Sequence, residues 1–93
     1  MQDADPTPLI PAERDLYPVA LTPGRKLRLF QEHDPEKQWW NLDEMRFCAK
    51  CERLFIGREI RVLEDDRSNL HFRCPTAGCA GTWTVWQYPE LHL

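Results

Sequence analysis

The four cysteines of this 93-residue chain stand in two close pairs. Two residues separate Cys48 from Cys51, four separate Cys74 from Cys79, and 22 residues lie between the pairs. Zinc takes four ligands in a tetrahedron and binds thiolate sulfur well, and a short turn can direct two sulfurs at one ion. The spacing therefore predicts a structural Zn²⁺ site whose four ligands are these cysteines.

The spacing leaves other uses of the four thiols open. Four-thiolate sites also hold iron, so a rubredoxin-like iron electron carrier is one alternative. Free thiols are a second alternative and disulfides are a third, although disulfides are rare in the reducing cytosol. The three histidines, His33, His71 and His92, are scattered along the chain without metal-ligand spacing. Of these, His71 stands three residues before Cys74 and could support a ligand.

The chain lacks the residue patterns of a catalytic site. A catalytic zinc keeps three protein ligands and one open position, whereas four thiolates close the coordination shell. Asp65 and Asp66 are adjacent, but acidic residues are common in turns for backbone reasons. No nucleophile–base pair and no glycine-rich phosphate loop stands in the sequence. We therefore predict that the protein is not an enzyme and takes no small-molecule substrate.

The residues around the cysteines predict β-strands that would position them. Residues 60–62 alternate, residues 64–69 form a polar turn cluster, and residues 70–74 end on a ligand. A third β-rich run follows at residues 82–88. Because no helical pattern separates these runs, we expect a three-stranded antiparallel sheet with zinc at one end, which is a zinc ribbon. The overall fold class is then small and mostly β.

Two tryptophans and two glycines lie in or beside the third run. Gly78 and Gly81 would let the backbone turn around the metal, since glycine adopts conformations that other residues avoid. Trp83 and Trp86 stand three residues apart. On a strand, side chains alternate between faces, so we expect these two indoles on opposite sides of the sheet.

The first third of the chain is rich in proline. Five of the eight prolines are Pro6, Pro8, Pro11, Pro18 and Pro23. Proline fixes φ and removes a hydrogen-bond donor, which disfavours regular helices and central strands. We therefore predict an acidic, Pro-rich N-terminal arm over residues 1–33, extended or disordered, in which residues 27–30 could form a short edge strand.

A short helix is predicted between the arm and the first cysteine pair. Asp34 is a good N-cap, Pro35 suits the first helical position, and Glu36 would face the positive end of the helix dipole. The predicted helix spans residues 35–44. Together with the zinc ribbon it would form the second unit, residues 34–93.

The composition indicates one small domain. Hydrophobic residues make up 42% of the chain and charged residues 29%, which is ordinary for a soluble protein. A domain of this size buries only about 60% of its unfolded surface and often needs a staple. The first residues do not form a signal peptide, and no apolar run is long enough to span a bilayer. We therefore expect a cytoplasmic protein without membrane contact.

Four tryptophans exceed what a thin sheet and one helix would bury. Tryptophan and arginine are enriched at binding hot spots. Protein docking is therefore predicted, through Trp39, Trp40, Trp86, Arg58 and Arg61. We interpret the chain as a small zinc-stabilised adaptor that docks on a larger protein assembly, one that handles transcription or nucleic acid.

Direct nucleic-acid binding is the main alternative function. Exposed aromatic rings beside arginines would suit single strands, because bases stack on the rings and arginines contact phosphates. The charge argues against it: residues 46–93 carry seven basic and six acidic side chains, and the whole chain has a net charge of −3. Nucleic-acid domains usually show a clear basic excess.

The block from Arg46 to Trp86 resembles zinc ribbons that act on DNA or on transcription complexes. Its spacing is similar to that of the phage late-transcription activator (Ogr/Delta) family, in which an aromatic precedes the third cysteine as Phe72 does here. The second knuckle, HFRCPTAGC, also resembles the C-terminal zinc ribbons of bacterial topoisomerases. The first knuckle, CAKCE, departs from many ribbons because it lacks Pro and Gly. The resemblance implies a zinc-ribbon fold and a role in transcription.

Overall fold

The structure is a computed structural model that describes residues 15–36 and 38–89. Within these ranges the chain forms one α-helix, two single-turn 3-10 helices (Gly57–Glu59 and Trp83–Val85) and six short strands. The longer elements are β1 (Tyr17–Pro18), α1 (Pro23–His33), β2 (Met45–Cys48), β3 (Arg53–Ile56), β4 (Arg61–Glu64), β5 (Leu70–Arg73) and β6 (Trp86–Gln87). The prediction of a small, mostly-β fold is confirmed at this level. No helix in the described ranges is long and apolar enough to cross a membrane.

The strands form two antiparallel sheets rather than one. One sheet has the order β1-β4-β5, and the other has the order β3-β2-β6. The predicted second strand, β5, pairs with β4 and aligns Phe72 with Val62. The predicted third run instead joins the other sheet, where Trp86 of β6 is opposite Cys48 of β2. The expectation of a single three-stranded sheet is therefore wrong, because β6 pairs with β2 and not with β5.

The helix α1 lies within residues 1–33, for which the proline content predicted an extended or disordered arm. It begins where the Thr22 side chain accepts a hydrogen bond from the backbone N–H of Arg25, with Pro23 in the first turn. These are favourable residues for a helix start. It ends where the Asp34 N–H donates to the Phe30 carbonyl. The predicted edge strand at residues 27–30 is wrong, since a four-residue alternation is too short to distinguish a strand from one helical turn.

The helix predicted over residues 35–44 is wrong as well. The described residues of this segment are turns and irregular backbone. One Asp34 carboxylate oxygen accepts from the Glu36 N–H at 3.1 Å, and the other accepts from Trp39 Nε1 at 2.9 Å. Asp followed by Pro is found both at helix starts and just beyond helix ends. Here Asp34 and Pro35 terminate α1, so the same signal marks the end of one helix and not the start of another.

The apolar face of α1, which lies in the predicted arm, belongs to the hydrophobic core through Leu29 and Phe30. Phe30 of α1 has no solvent exposure. Its ring makes edge contacts with the rings of Trp39, Phe72 and Trp83, at centroid distances of 5.0, 5.9 and 5.4 Å. The prediction of an extended or disordered arm is therefore wrong for α1, because its apolar face completes the core. Residues 1–14 of that prediction lie outside the described residues.

Trp83 and Trp86 lie on the same side of the chain and contact each other. Their rings pack edge to face with centroids 5.0 Å apart. The expectation of opposite faces assumed an extended strand, whereas Trp83–Val85 is a 3-10 helix. In that conformation residues three apart are eclipsed. The two indoles thus join one aromatic cluster, which Phe55 extends through Trp86 at 5.2 Å.

A buried arginine holds the end of β6 against the loop before β2. The Arg46 guanidinium lies between two aromatic rings, 3.9 Å from the Trp39 centroid and 4.1 Å from the Tyr88 centroid. It also forms an ion pair with Glu44 at 3.2 Å and donates to the carbonyl of Gln38. Stacking on aromatic faces and a carboxylate partner together offset the cost of burying the charge.

Asp65 organises the turn between β4 and β5. Its carboxylate accepts from the backbone N–H groups of Arg67 and Asn69, each at 2.9 Å, and lies 2.9 Å from His71 Nε2. The contact with His71, followed by the backbone donors, lowers the pKa of Asp65 well below its usual range. A depressed carboxyl pKa contributes stability that is present above the unfolded-state pKa and is lost as the pH falls through the folded-state pKa.

We expect Asp65→Asn to lower the urea midpoint of the protein at neutral pH, because the amide cannot accept as many hydrogen bonds as the carboxylate. The exposed neighbour provides the control, and Asp66→Asn should leave the midpoint unchanged. The difference in urea midpoint between the two variants should shrink only in strong acid, where the Asp65 carboxylate is itself protonated. Equal midpoints for the two variants at neutral pH would contradict this role of Asp65.

Candidate metal centre

The four cysteines converge at the junction of the two sheets. Cys48 is the last residue of β2, Cys51 lies in the turn before β3, and Cys74 directly follows β5. Cys79 lies in the loop before β6. All four sulfurs lie within 4.8 Å of one another. Residues far apart in the sequence are thus brought to one point by the ends of strands from both sheets.

The sulfur spacing fits a metal ion and not disulfides. The Sγ atoms of Cys48 and Cys79 are 3.8 Å apart, and those of Cys51 and Cys74 are 3.5 Å apart. Zinc with sulfurs at about 2.3 Å in a tetrahedron places neighbouring sulfurs about 3.8 Å apart. A disulfide bond is about 2.05 Å long, and all four thiols are free. The donor set and the space between the donors therefore suit a thiolate-bound metal ion.

The two knuckles are shaped by backbone hydrogen bonds. In the first, the Glu52 N–H donates to the Cys48 carbonyl at 2.6 Å, and Glu52 adopts φ 60°. In the second, the Cys79 N–H donates to the Thr76 carbonyl at 3.0 Å, and Gly78 adopts φ 81°. A positive φ is readily adopted by glycine. These tight turns direct the two sulfurs of each pair towards the same point.

The thiols differ in their tendency to ionise. The hydrogen bond between Thr76 Oγ1 and Cys51 Sγ, 3.4 Å long, lowers the pKa of Cys51 to about 7. Burial raises the pKa of Cys74 to about 12 and also raises the pKa of Cys79. The Cys74 and Cys79 thiols are therefore protonated at neutral pH unless a cation displaces the protons. A divalent metal ion would do so, and its binding would release protons.

The predicted partner-binding residues divide into buried and exposed groups. Trp39 and Trp86 are 2% and 1% exposed, so their prediction as surface anchors is wrong: both indoles fill the core. Trp40 is 76% exposed. Arg58 is also exposed and pairs with Asp43 at 2.8 Å. Trp40 and Arg58 therefore lie on open surface, and their partner binding stays a prediction.

Arg61, the remaining predicted partner-binding residue, is bound to the second knuckle. Its Nε donates to the Cys74 carbonyl at 2.9 Å. Its Nη2 lies 3.3 Å from the Thr76 carbonyl and 3.5 Å from the Cys79 carbonyl. Sequence reasoning assigned this side chain to a surface role because nothing local connects residue 61 to residues 74–79.

An exposed apolar sheet face escaped the sequence analysis. In β2 and β3, Met45 is aligned with Ile56, and Phe47 is aligned with Leu54. Side chains of aligned residues lie on the same face of a sheet, and the opposite face buries Arg46, Cys48 and Phe55. Met45 and Leu54 are exposed, and the other two are half-buried. The alternation in residues 45–48 is the signal that could have revealed this face.

Gly81 provides the space that the sulfurs occupy. A Cβ atom at this position would lie 2.9 Å from Cys48 Sγ, 3.1 Å from Val85 Cγ2 and 3.4 Å from Cys79 Sγ. Such close contacts force neighbouring atoms to move. In this case the atoms that must move include two metal-ligand candidates.

We expect Gly81→Ala to weaken zinc binding and to destabilise the fold by about 1–3 kcal/mol, the usual cost of overpacking. Competition with a chromophoric chelator and thermal unfolding would measure the two effects. Gly24 serves as the control, because a Cβ there meets no atom within 4 Å, and Gly24→Ala should leave zinc affinity unchanged. A Gly81→Ala variant with wild-type zinc affinity would contradict the proposed crowding at the sulfurs.

Comparisons with known proteins returned no match to any family model, to any curated protein or to any solved structure. The fold and the site themselves define the class: a small, mostly-β protein with four cysteines gathered at metal-binding distance. The resemblance to phage activator and topoisomerase zinc ribbons stays a prediction from the cysteine spacing. The structure shows two three-stranded sheets and the helix α1.

Proposed function

We propose that this protein is a small zinc-stabilised binding module that docks on a larger protein assembly in the cytoplasm. The convergence of four thiol sulfurs at the junction of the two sheets carries the proposal. The metal would crosslink the ends of β2 and β5 and the loop before β6, and such a crosslink stabilises a small domain. A reducing compartment, where free thiols persist, suits this site.

The proposed metal is structural and not catalytic. Three of the four cysteines, Cys48, Cys74 and Cys79, are buried. Four thiolates fill a tetrahedral shell and leave no position for a water molecule or a substrate. We propose zinc over iron, and therefore no electron transfer and no enzymatic activity. The metal identity can be tested directly, because iron–thiolate centres absorb visible light and zinc–thiolate centres do not.

A protein partner is better supported than nucleic acid. Among the arginines of residues 46–93, Arg46 is buried between aromatic rings, Arg61 is bound to the second knuckle, and Arg58 pairs with Asp43. Arg53 and Arg67 are exposed. The chain is also acidic overall. The exposed apolar face of β2 and β3, which displays Met45 and Leu54, instead supports contact with an apolar protein surface.

A pull-down from cells that express the protein would test the docking role, with metal content measured by native mass spectrometry. Leu54→Arg places a charge on the apolar face, and because this side chain is 57% exposed, the fold and the zinc content should persist. We expect this variant to lose a protein that the wild type captures. The control is Tyr17→Arg, on the other sheet at 62% exposure, which should retain it.

Three results would contradict the proposal. The first is the absence of bound zinc in native protein, and the second is visible absorption from iron. The third is retention of the captured protein by Leu54→Arg together with salt-dependent binding to single-stranded oligonucleotides, which would favour the nucleic-acid alternative.

A further inference from the structure

The side chain of Arg61 spans the second cysteine knuckle from its first ligand to its last. Arg61 lies in β4, whereas the carbonyl groups that it contacts belong to Cys74, Thr76 and Cys79. The distances from guanidinium nitrogen to carbonyl oxygen are 2.9, 3.3 and 3.5 Å. One side chain from a sheet strand thus holds three backbone groups of the loop that carries two ligand candidates.

Arginine is the side chain suited to this task. Its planar guanidinium presents five N–H donors in a fixed fork, while lysine offers one rotatable ammonium group. Hydrogen bonds from a charged donor are also stronger than those from a neutral one. Because Arg61 extends from a paired strand, its hydrogen bonds attach the knuckle to a part of the fold that lies outside the loop.

A second arginine lies opposite Arg61 in the sheet. Arg61 is aligned with Arg73 across β4 and β5, and Arg73 is buried. Like charges directly opposite each other in a sheet are destabilising. Four thiolates around one divalent ion keep an excess of negative charge, and Cys74 directly follows Arg73. A loaded metal centre would therefore add negative charge next to this arginine pair.

We propose that Arg61 is a positioning residue of the metal centre. It holds the Cys74 and Cys79 carbonyls so that the two sulfurs keep the spacing that a metal ion requires, and it places a positive charge against the backbone of the second knuckle. This inference rests on the proposed zinc site. Partners that orient metal ligands through hydrogen bonds typically change metal affinity about 10–100-fold when they are removed.

The test compares zinc affinities of purified full-length variants by competition with a chromophoric chelator. We expect Arg61→Gln to bind zinc about 10–100-fold more weakly than the wild type. Arg61→Lys keeps the charge but loses the fork, so its affinity should lie between the two. Arg28→Gln, an equal charge change on the exposed face of α1, should bind like the wild type.

Spectroscopy separates positioning from general destabilisation. With Co²⁺ in place of zinc, the d–d bands report the geometry of the four sulfurs, and we expect them to change in Arg61→Gln but not in Arg28→Gln. Circular dichroism in excess zinc should show the same fold for both variants. If Arg61→Gln does not fold even in excess zinc, the Arg61→Lys variant decides the question through the same measurements.

The outcomes distinguish the two proposals. The positioning role alone is overturned if the wild type binds zinc tightly while the zinc affinity of Arg61→Gln is within about twofold of that of Arg28→Gln and its cobalt spectrum is unaltered. Wild-type affinity in Arg61→Lys overturns the requirement for the fork. Wild-type protein that binds no zinc overturns the metal centre and the positioning role together.

Discussion

Chelation of the metal at neutral pH should abolish the native fold, and addition of zinc should restore it. Binding of structural zinc in small domains contributes about 10–16 kcal/mol, while whole domains are stable by only about 5–15 kcal/mol. Three of the four cysteine sulfurs lie in the same buried cluster as the aromatic core. Loss of the ion would leave that core without the link between its two sheets.

Circular dichroism and native mass spectrometry, before and after chelation, would measure this effect. Cys74→Ser should reproduce the chelated state even in excess zinc, because it removes a buried ligand. Ala77→Ser changes an exposed residue of the same loop and should retain both zinc and fold. A metal-free protein with an unchanged spectrum and a cooperative thermal transition would rule out a structural metal.

Phe30→Ala should destabilise the zinc-loaded protein by about 3–5 kcal/mol, the usual cost of truncating a buried aromatic residue. Phe30 is fully buried and contacts the rings of Trp39, Phe72 and Trp83. Its removal would leave a cavity between α1 and the sheets that the surrounding rings cannot fill without changing rotamer. This loss is a large fraction of the total stability of a small domain.

Urea denaturation in saturating zinc would measure the change as a lower midpoint with an unchanged slope. Tyr17→Ala removes an aromatic side chain that is 62% exposed and should change the midpoint little. A midpoint for Phe30→Ala equal to that of Tyr17→Ala would show that α1 contributes no more to the core than a surface residue does.

The candidate metal centre and Phe30 belong to one structural unit. The buried cluster contains Phe30 of α1 together with Cys48, Cys74 and Cys79, and Phe72 lies two residues before a ligand candidate. The helix therefore covers the same core that the metal would hold together. A protein fragment that begins at residue 34, the boundary suggested by the proline content, would expose Trp39, Phe72 and Trp83 and is expected to aggregate.

The four ligand candidates could be predicted from the sequence because their signal is local chemistry. Thiol pairs separated by two and four residues suit a metal wherever the chain brings the pairs together, and the short loops inside each pair constrain their geometry. The mostly-β class was also predictable, since β-rich runs follow each cysteine pair. Neither inference required knowledge of which strands pair.

The positions of the helix, the sheets and the tryptophans were decided by tertiary structure. Asp34 and Pro35 fit a helix start and a helix end equally well, and packing of Phe30 selects the end. The 3-10 conformation of Trp83–Val85 brings both indoles of the third run to one side. Pairing of β6 with β2 creates the second sheet. Each outcome depends on contacts between distant residues, which local propensity does not contain.

Arg46 and Arg61 show, for single side chains, the same difference between what the sequence and the tertiary structure determine. In the sequence both are ordinary arginines in a segment of mixed charge. In the structure one is buried between Trp39 and Tyr88, and the other holds the carbonyls of the second knuckle. The cysteines by themselves thus determined what the site can bind. Only the fold decided which side chains surround it, because burial and ion pairing are properties of three-dimensional neighbours.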